Sequence, residues 1–474
     1  MGLFQIGVSV LTALLIGALT QGTWRTYFLL SSSVLAVYWL QPALPLRSFD
    51  FWLPSLSLAL TVFTWLIIST PDTRWSRQNL IGVSIILGVA TLIELSRYFL
   101  PDPMLTATTP PQFIPYLLFI AFVTLSLSLL ALLAPRFPRT PSFAIILILT
   151  ILVILKSSTL SLQTSIFFRT LANRPIETAE FTDLRWLGFS YIAFRLVHVL
   201  RDKQMGRLPV LSLLEFATYI VFFPALAAGP IDRAERFAKD LRHEFVLTQE
   251  ETLLAGQRIF LGLFKKFVIA DTLALIALND LLATQVRSAD WMWVSVYAYA
   301  LQIYFDFSGY TDIAIGTAQF VGIRLPENFA APYLEPNLTQ FWNSWHMSLT
   351  QWFRSYFFNP FNRWIRGVKN LPAWGMILMA QLATMVLIGL WHGITFNFIF
   401  WGVWHGIGLF VQNRWSEFLR THYPNLGQNT RLQSVLQIGG IFLTFHFVAL
   451  GWVFFALRDP ALSWLVFRRL FGLL

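Results

Sequence analysis

Residues 372–393 read PAWGMILMAQLATMVLIGLWHG. A helix needs about 20 mostly apolar residues to cross the ~30 Å hydrocarbon core of a bilayer, and this run meets that length without a charge. It ends in Gly389-Leu390-Trp391-His392-Gly393. An imidazole at the end of an apolar helix is desolvated, which favours its neutral form and makes it available as a base. Glycines on both sides let a substrate or a neighbouring helix come close. One stretch thus raises both the fold and the chemistry.

The same pattern recurs along the chain. Candidate spans fall at 3–20, 26–46, 51–70, 79–100, 112–134, 141–160, 186–200, 210–228, 252–278, 290–322, 372–394, 395–412 and 433–457. Residues 290–322 are too long for one simple helix and are expected to bend. The segment Leu3 to Leu19 lacks a basic n-region and a small-x-small cleavage site, so it reads as a first membrane helix. Of 474 residues, 56% are hydrophobic and only 12% charged, where a soluble protein carries about 25% charged; mean hydropathy is +0.61. The expected fold is all-α: a polytopic integral membrane protein with about 11–13 membrane helices and short interfacial or re-entrant helices.

The net charge of +10 fits the Lys- and Arg-rich loops of membrane proteins, so no nucleic acid is expected. The chain has no cysteine, which excludes disulfides, thiolate metal sites and Cys nucleophiles. No Walker A, Rossmann or zinc-ligand spacing occurs, and no metal is expected.

Residues 1–180 are nearly pure apolar helix with Ser and Thr, and read as N-terminal transmembrane scaffold; Glu94 reads as a snorkelling carboxylate near the end of its helix. From about 185 onward, charged residues, His, Trp and Gly enter the apolar segments themselves. Ionisable groups in a membrane interior are functional-site hypotheses by default, so residues 181–474 are expected to form the catalytic core of a single membrane domain.

Three of the seven histidines stand in unusual settings. His346 lies in the aromatic-rich segment Phe341-Trp342-Asn343-Ser344-Trp345-His346-Met347-Ser348, which fits an interfacial anchor or a dip beside a water-filled cavity. The midpoint between His346 and His392 is Lys369, so antiparallel elements on either side would bring both histidines to similar depth. His405, in Trp404-His405-Gly406, comes 13 residues after His392. Thirteen residues of one helix turn the side chains about 140° apart, which makes His405 a supporting residue. His198 and His446 read as hydrogen-bonded interior residues. Tyr304-Phe305-Asp306-Phe307-Ser308-Gly309-Tyr310-Thr311-Asp312 places two carboxylates in an apolar segment, with Asp306 and Tyr310 on one face. Intramembrane aspartates can orient other groups or mark an ion path.

The motifs Ala228-Gly-Pro-Ile-Asp-Arg233, Phe264-Lys-Lys-Phe267, Tyr304-Phe-Asp-Phe-Ser-Gly-Tyr310, Pro326-Glu-Asn-Phe329, Phe341-Trp-Asn-Ser-Trp-His-Met-Ser-Leu349 and Leu390-Trp-His-Gly393 come in the order seen in membrane-bound O-acyltransferases. The chain resembles that family over about residues 185 to 455. Some motifs are closer to its alginate-acetylating branch and others to its teichoic acid D-alanylating branch. The resemblance implies that His392 is the catalytic histidine and His346 the second active-site histidine. It also implies a central funnel or tunnel where a cytoplasmic thioester meets an acceptor from the opposite face. Asn343, Trp345, Ser348, Asp306, Tyr310 and Trp391 are then candidate binding or supporting residues.

The expected cosubstrate is an acyl thioester, acetyl-CoA or an acylated carrier protein, with no tightly bound cofactor. The expected partners are membrane lipid, the donor or its carrier, and a glycan acceptor or a periplasmic acyltransferase that relays the acyl group. The expected location is the bacterial cytoplasmic membrane. The competing expectation is an ion-coupled transporter or glycan-translocating protein using Asp306 and Asp312.

Overall fold

The computed structural model describes residues 2–133, 137–368, 371–424 and 430–473; Lys369 lies outside them. The described residues are mostly α-helical, with no strand among them beyond a single bridge between Phe329 and Trp345. Among the described residues, five helices are long and apolar enough to cross a membrane: Phe49–Ile68, Arg77–Phe99, Phe113–Leu133, Ala373–His392 and Arg431–Ala456. Thr140–Lys156 and Ser158–Leu171 make a sixth candidate, bent by 96° at their junction.

Other apolar stretches are shorter or carry charge. Phe189–Gln204 has 16 residues and holds Arg195, His198 and Arg201, and Leu213–Val221 has nine. Residues 252–278 divide into Gln249–Leu263, a π-helix Phe264–Ala270 and the short Asp271–Ala274. Ala289–Gln319, expected to bend, is one α-helix of 31 residues.

The chain forms two compact units, residues 1–259 with 314–326, and residues 260–313 with 327–474. In the first, two buried arginines close helix ends. The last carbonyls of a helix have no partner within it. Arg195 donates to the carbonyls of Ile220, at 2.8 Å, and Ala225, at 2.9 Å, within and beyond the end of Leu213–Val221. Arg25 does the same for Leu241 and His243 at the end of Ala234–Arg242, at 2.8 and 2.9 Å. The other end of Leu213–Val221 is a capping box. Ser212 Oγ accepts the Glu215 N–H, and the Glu215 carboxylate accepts the Ser212 N–H, as expected of Ser followed three residues later by Glu.

Two sequence expectations for this unit resolve differently. His198 is an interior hydrogen-bonded residue, between Asp202 at 2.9 Å and the Tyr219 hydroxyl at 3.2 Å. Glu94 does not snorkel: it is fully buried, and neither carboxylate oxygen accepts a hydrogen bond among the described residues. Its helix is held to Phe113–Leu133 one turn earlier by Thr91 Oγ1 and the Tyr116 hydroxyl, 2.7 Å apart, so the face carrying Glu94 is turned inward.

Asp232 is buried beside Arg236, 2.5 Å away. Burial outweighs that partner and pushes its carboxyl from 3.8 up to about 6. The folded chain therefore binds this proton more tightly than the unfolded chain. Relative stability is greatest below the ordinary value and is lost as pH rises toward about 6. Asp232→Asn is expected to raise the melting temperature of the detergent-solubilised chain above pH 6 and to leave it unchanged in acid. A difference from native that stays constant across pH would refute the assignment.

In the second unit, Ala373–His392 and Phe396–His422 pack along each other more extensively than any other helix pair. Only Gly393, Ile394 and Thr395 join them, and Thr395 Oγ1 caps the second helix by accepting the Phe398 N–H. Around the pair lies an aromatic core in which Phe341, Trp345, Trp401 and Trp452 are all buried.

Candidate active site

His346 sits at the break between two short helices, Leu338–Ser344 and Met347–Phe353. Its backbone is left-handed, with φ 41° and ψ 54°, a conformation that costs a non-glycine residue about 1–2 kcal/mol. Such a residue persists only where its surroundings over-determine it, and here they do. The strap 328–330 runs beside it: the Ala330 N–H donates to the Ser344 carbonyl at 3.0 Å, and Phe329 pairs with Trp345. The Met347 N–H donates to the Asn328 carbonyl at 3.0 Å, and the Ser348 N–H to Asn328 Oδ1 at 3.1 Å.

The His346 ring is buried, 3% exposed. It stands edge-on to Phe307, with centroids 4.7 Å apart. Neither ring nitrogen hydrogen-bonds another residue among those described. Burial pushes the imidazole from 6.5 down to about 3, so the ring is neutral at physiological pH.

His392 closes the helix Ala373–His392 and is half-buried. It packs against Phe455 at 4.7 Å, and against Phe398 and Trp401, each at 5.9 Å. The glycine before it admits a neighbouring helix: a Cβ on Gly389 would lie 2.2 Å from the Phe398 carbonyl oxygen. Trp391 is the shared neighbour of the two histidines. Its ring centroid is 4.5 Å from His392 and 6.4 Å from His346. Chain segments 46 residues apart in sequence thus present both imidazoles around one indole.

Trp401 leads on to the third histidine, 4.9 Å from His405. His405 is fully buried on the helix after His392, edge-on to Trp342 at 5.2 Å, and neither of its ring nitrogens has a hydrogen-bond partner among the described residues. Trp345 lies in the aromatic core beside Trp452, at 5.0 Å, and Phe329, at 5.1 Å. Ser348 is buried in the first turn after His346. Asn343 points elsewhere: it is exposed, and its Oδ1 accepts from Arg354 Nη2 at 2.5 Å.

The carboxylates face a different element. Asp306 is ion-paired with Lys266, and Asp312 with Lys265 at 2.7 Å. Both lysines belong to the π-helix Phe264–Ala270; Gly262, just before it, opposes Gly309 of the helix Ala289–Gln319 that carries the two aspartates. Tyr310 is half-buried on the same helix, and Phe307, one residue after Asp306, is the side chain that reaches His346.

Sequence reasoning overlooked three contributors. Asn328 and the lysine pair lay inside quoted motifs without a role, and Phe307 looked like one more apolar residue. The signals available were an amide between a charged residue and an aromatic one in Pro326-Glu327-Asn328-Phe329, and two adjacent lysines in an apolar segment.

The profile of the membrane-bound O-acyltransferase family matches residues 140–457. The probable alginate O-acetylase AlgI of Pseudomonas aeruginosa is 33% identical over 287 residues, 60% of this chain and 51% of its own length. The teichoic acid D-alanyltransferase of Bacillus subtilis is 33% identical over 282 residues, 58% of this chain and 69% of its own. The peptidoglycan O-acetyltransferase of Helicobacter pylori is 35% identical over 268 residues, 55% and 47%. The chain thus spans about half the length of the alginate and peptidoglycan relatives. The profile match runs through more than half of the sequence and encloses both histidines around Trp391, with the helices that carry them, and on that ground the chain belongs to the membrane-bound O-acyltransferase family.

Proposed function

We propose that this multi-pass membrane protein is an O-acyltransferase. It moves an acyl group, preferentially acetyl, from a cytoplasmic thioester to a hydroxyl of an extracytoplasmic glycan or of a relay partner. The observation that supports this most is the meeting of His346 and His392 around Trp391. The relatives' names, which speak of alginate, teichoic acid and peptidoglycan, favour a cell-envelope acceptor in the bacterial cytoplasmic membrane. The donor is acetyl-CoA or an acylated carrier protein.

The step follows from ordinary acyl chemistry. His392 takes the proton from the acceptor hydroxyl as its oxygen attacks the thioester carbonyl carbon. The tetrahedral oxyanion collapses, the carbon–sulfur bond breaks, and the imidazolium returns its proton to the departing thiolate. A half-buried ring at a helix end is within reach of an arriving hydroxyl, as a base must be. His346, neutral and rigidly held, is suited to hydrogen-bond the donor or the developing oxyanion. Trp391 lies between them, Ser348 follows His346 in its helix, and Trp345 and His405 pack on Trp452 in the aromatic core behind the site. Asp306 and Tyr310 shape the helix that carries Phe307.

The test is the ester-linked acyl content of envelope glycans from cells that depend on this chain, compared between native and His392-substituted protein at equal expression. The transporter reading makes a separate forecast. Each aspartate it needs already has a lysine partner, which leaves neither as a lone intramembrane charge. Collapsing the proton gradient with a protonophore, at fixed thioester supply, is expected to leave acyl transfer unchanged. A rate that follows the gradient would instead favour coupling through Asp306 and Asp312.

A further inference from the structure

The helix Met347–Phe353 begins without a side-chain cap of its own, because His346 stands at its N-cap position in a left-handed conformation. The first N–H groups of a helix have no partner inside it. Here one residue outside the helix takes two of them in succession: the Asn328 carbonyl receives Met347 and its side-chain Oδ1 receives Ser348. Asn328 is completely buried, so water does not compete for either bond. Two residues further along, the Ala330 N–H holds the Ser344 carbonyl on the other side of His346. The histidine backbone is therefore clamped before and after by one three-residue strap, while the ring makes no hydrogen bond to another residue among those described. Nothing on the ring itself fixes where it points except packing against Phe307 and Trp391. The clamp must do so through the backbone.

We infer that Asn328 is the positioning residue for His346, holding the left-handed turn that aims the imidazole at the Trp391 side of the site. The inference rests on the acyltransferase reading for its consequence in catalysis, and on geometry alone for its consequence at the histidine. Asparagine suits the place because its amide oxygen reaches the second N–H while its own main chain takes the first. Leucine of similar bulk offers only the main-chain acceptor.

The test uses the full-length chain in membranes and two variants. The probe is diethyl pyrocarbonate, which carbethoxylates neutral imidazole, with His346 and His392 read separately by peptide mass spectrometry. In Asn328→Leu, labelling at His346 is expected to accelerate about tenfold, the effect of losing one helix cap, while labelling at His392 stays at the native rate. Acyl transfer is expected to lose about 10²-fold in kcat, as for a misplaced catalytic group, with KM unchanged. Asn328→Ala removes the same side-chain acceptor without added bulk, and is expected to accelerate His346 labelling to a similar extent while His392 again stays at the native rate.

Faster His346 labelling in Asn328→Leu supports the inference even if the native chain transfers no acyl group, a result that would fall on the proposed function instead. Native labelling rates in Asn328→Leu would overturn it. Should that variant fail to insert, Asn328→Ala decides, and native labelling rates at His346 there overturn the inference.

Discussion

In chains carrying His392→Ala, ester transfer is expected to fall about 10²–10⁴-fold, the usual loss on removing a general base, with the protein still inserted and folded. That loss corresponds to about 2.7–5.4 kcal/mol of barrier at about 1.36 kcal/mol per decade. The effect on folding is expected to be smaller. His392 is half-buried at the last position of its helix, and its neighbours Phe455, Phe398 and Trp401 hold one another through their own ring contacts. His392→Gln separates chemistry from packing, because it fills most of the same space without a group that can take up the proton. Both variants are measured for alkali-labile acyl esters on envelope polymer and for thermal unfolding in detergent. Transfer within twofold of native in either variant, with the chain present at native level, would remove His392 as the base. His346 is a poorer candidate for that part: its ring is buried and clamped, whereas a base must reach a hydroxyl that arrives from outside.

What the sequence could tell was governed by which features are local. The helix Ala373–His392 announces itself through the 22 consecutive residues 372–393, free of Asp, Glu, Lys and Arg and ending in Trp-His-Gly. Five of the long apolar helices answer to the same signal. His346 was visible as a polar residue in an aromatic segment, yet its left-handed backbone depends on residues 328–330, and no local pattern encodes a partner so far along the chain. The same limit hid the pairing of Asp306 and Asp312 with the two lysines. Each charge looked isolated within its own apolar run, and only the crossing of Gly262 over Gly309 brings them together. Arg195 makes the point from the opposite side. As a charge in an apolar segment beyond residue 185 it falls under the default functional reading, whereas it donates to carbonyls at and beyond a helix end. Glu94 looked able to reach the surface because its position near a helix end is local information, while the packing that turns it inward is not.

Gly389→Ala tests the helix pair that carries His392, and its effect is expected to exceed that of any other single methyl group added to this unit's helices. The new Cβ would lie 2.2 Å from the Phe398 carbonyl oxygen, 3.1 Å from its carbon and 3.4 Å from the Trp401 ring. A carbonyl in a helix cannot swing aside as a flexible side chain can, so Ala373–His392 and Phe396–His422 must part. Gly402 faces the first helix from the other side, with Val386 Cα only 2.6 Å from where its Cβ would be, and it blocks an easy slide. Overpacking of this kind costs about 1–3 kcal/mol. The catalytic cost is larger, because His392 is three residues beyond the clash on the same rigid helix. A displacement of about 1 Å can lose 10²-fold in rate. The comparison is Gly439→Ala in the helix Thr430–Ala456, where a Cβ meets nothing within 4 Å and replacing a helical glycine is favourable by about 0.5–1 kcal/mol. Gly389→Ala is thus expected to lower both the melting temperature and acyl transfer, and Gly439→Ala to lower neither. If Gly389→Ala melts and transfers like the native chain, the tight apposition of the two helices is wrong, and with it the placement of His392 beside Trp401 and Phe398.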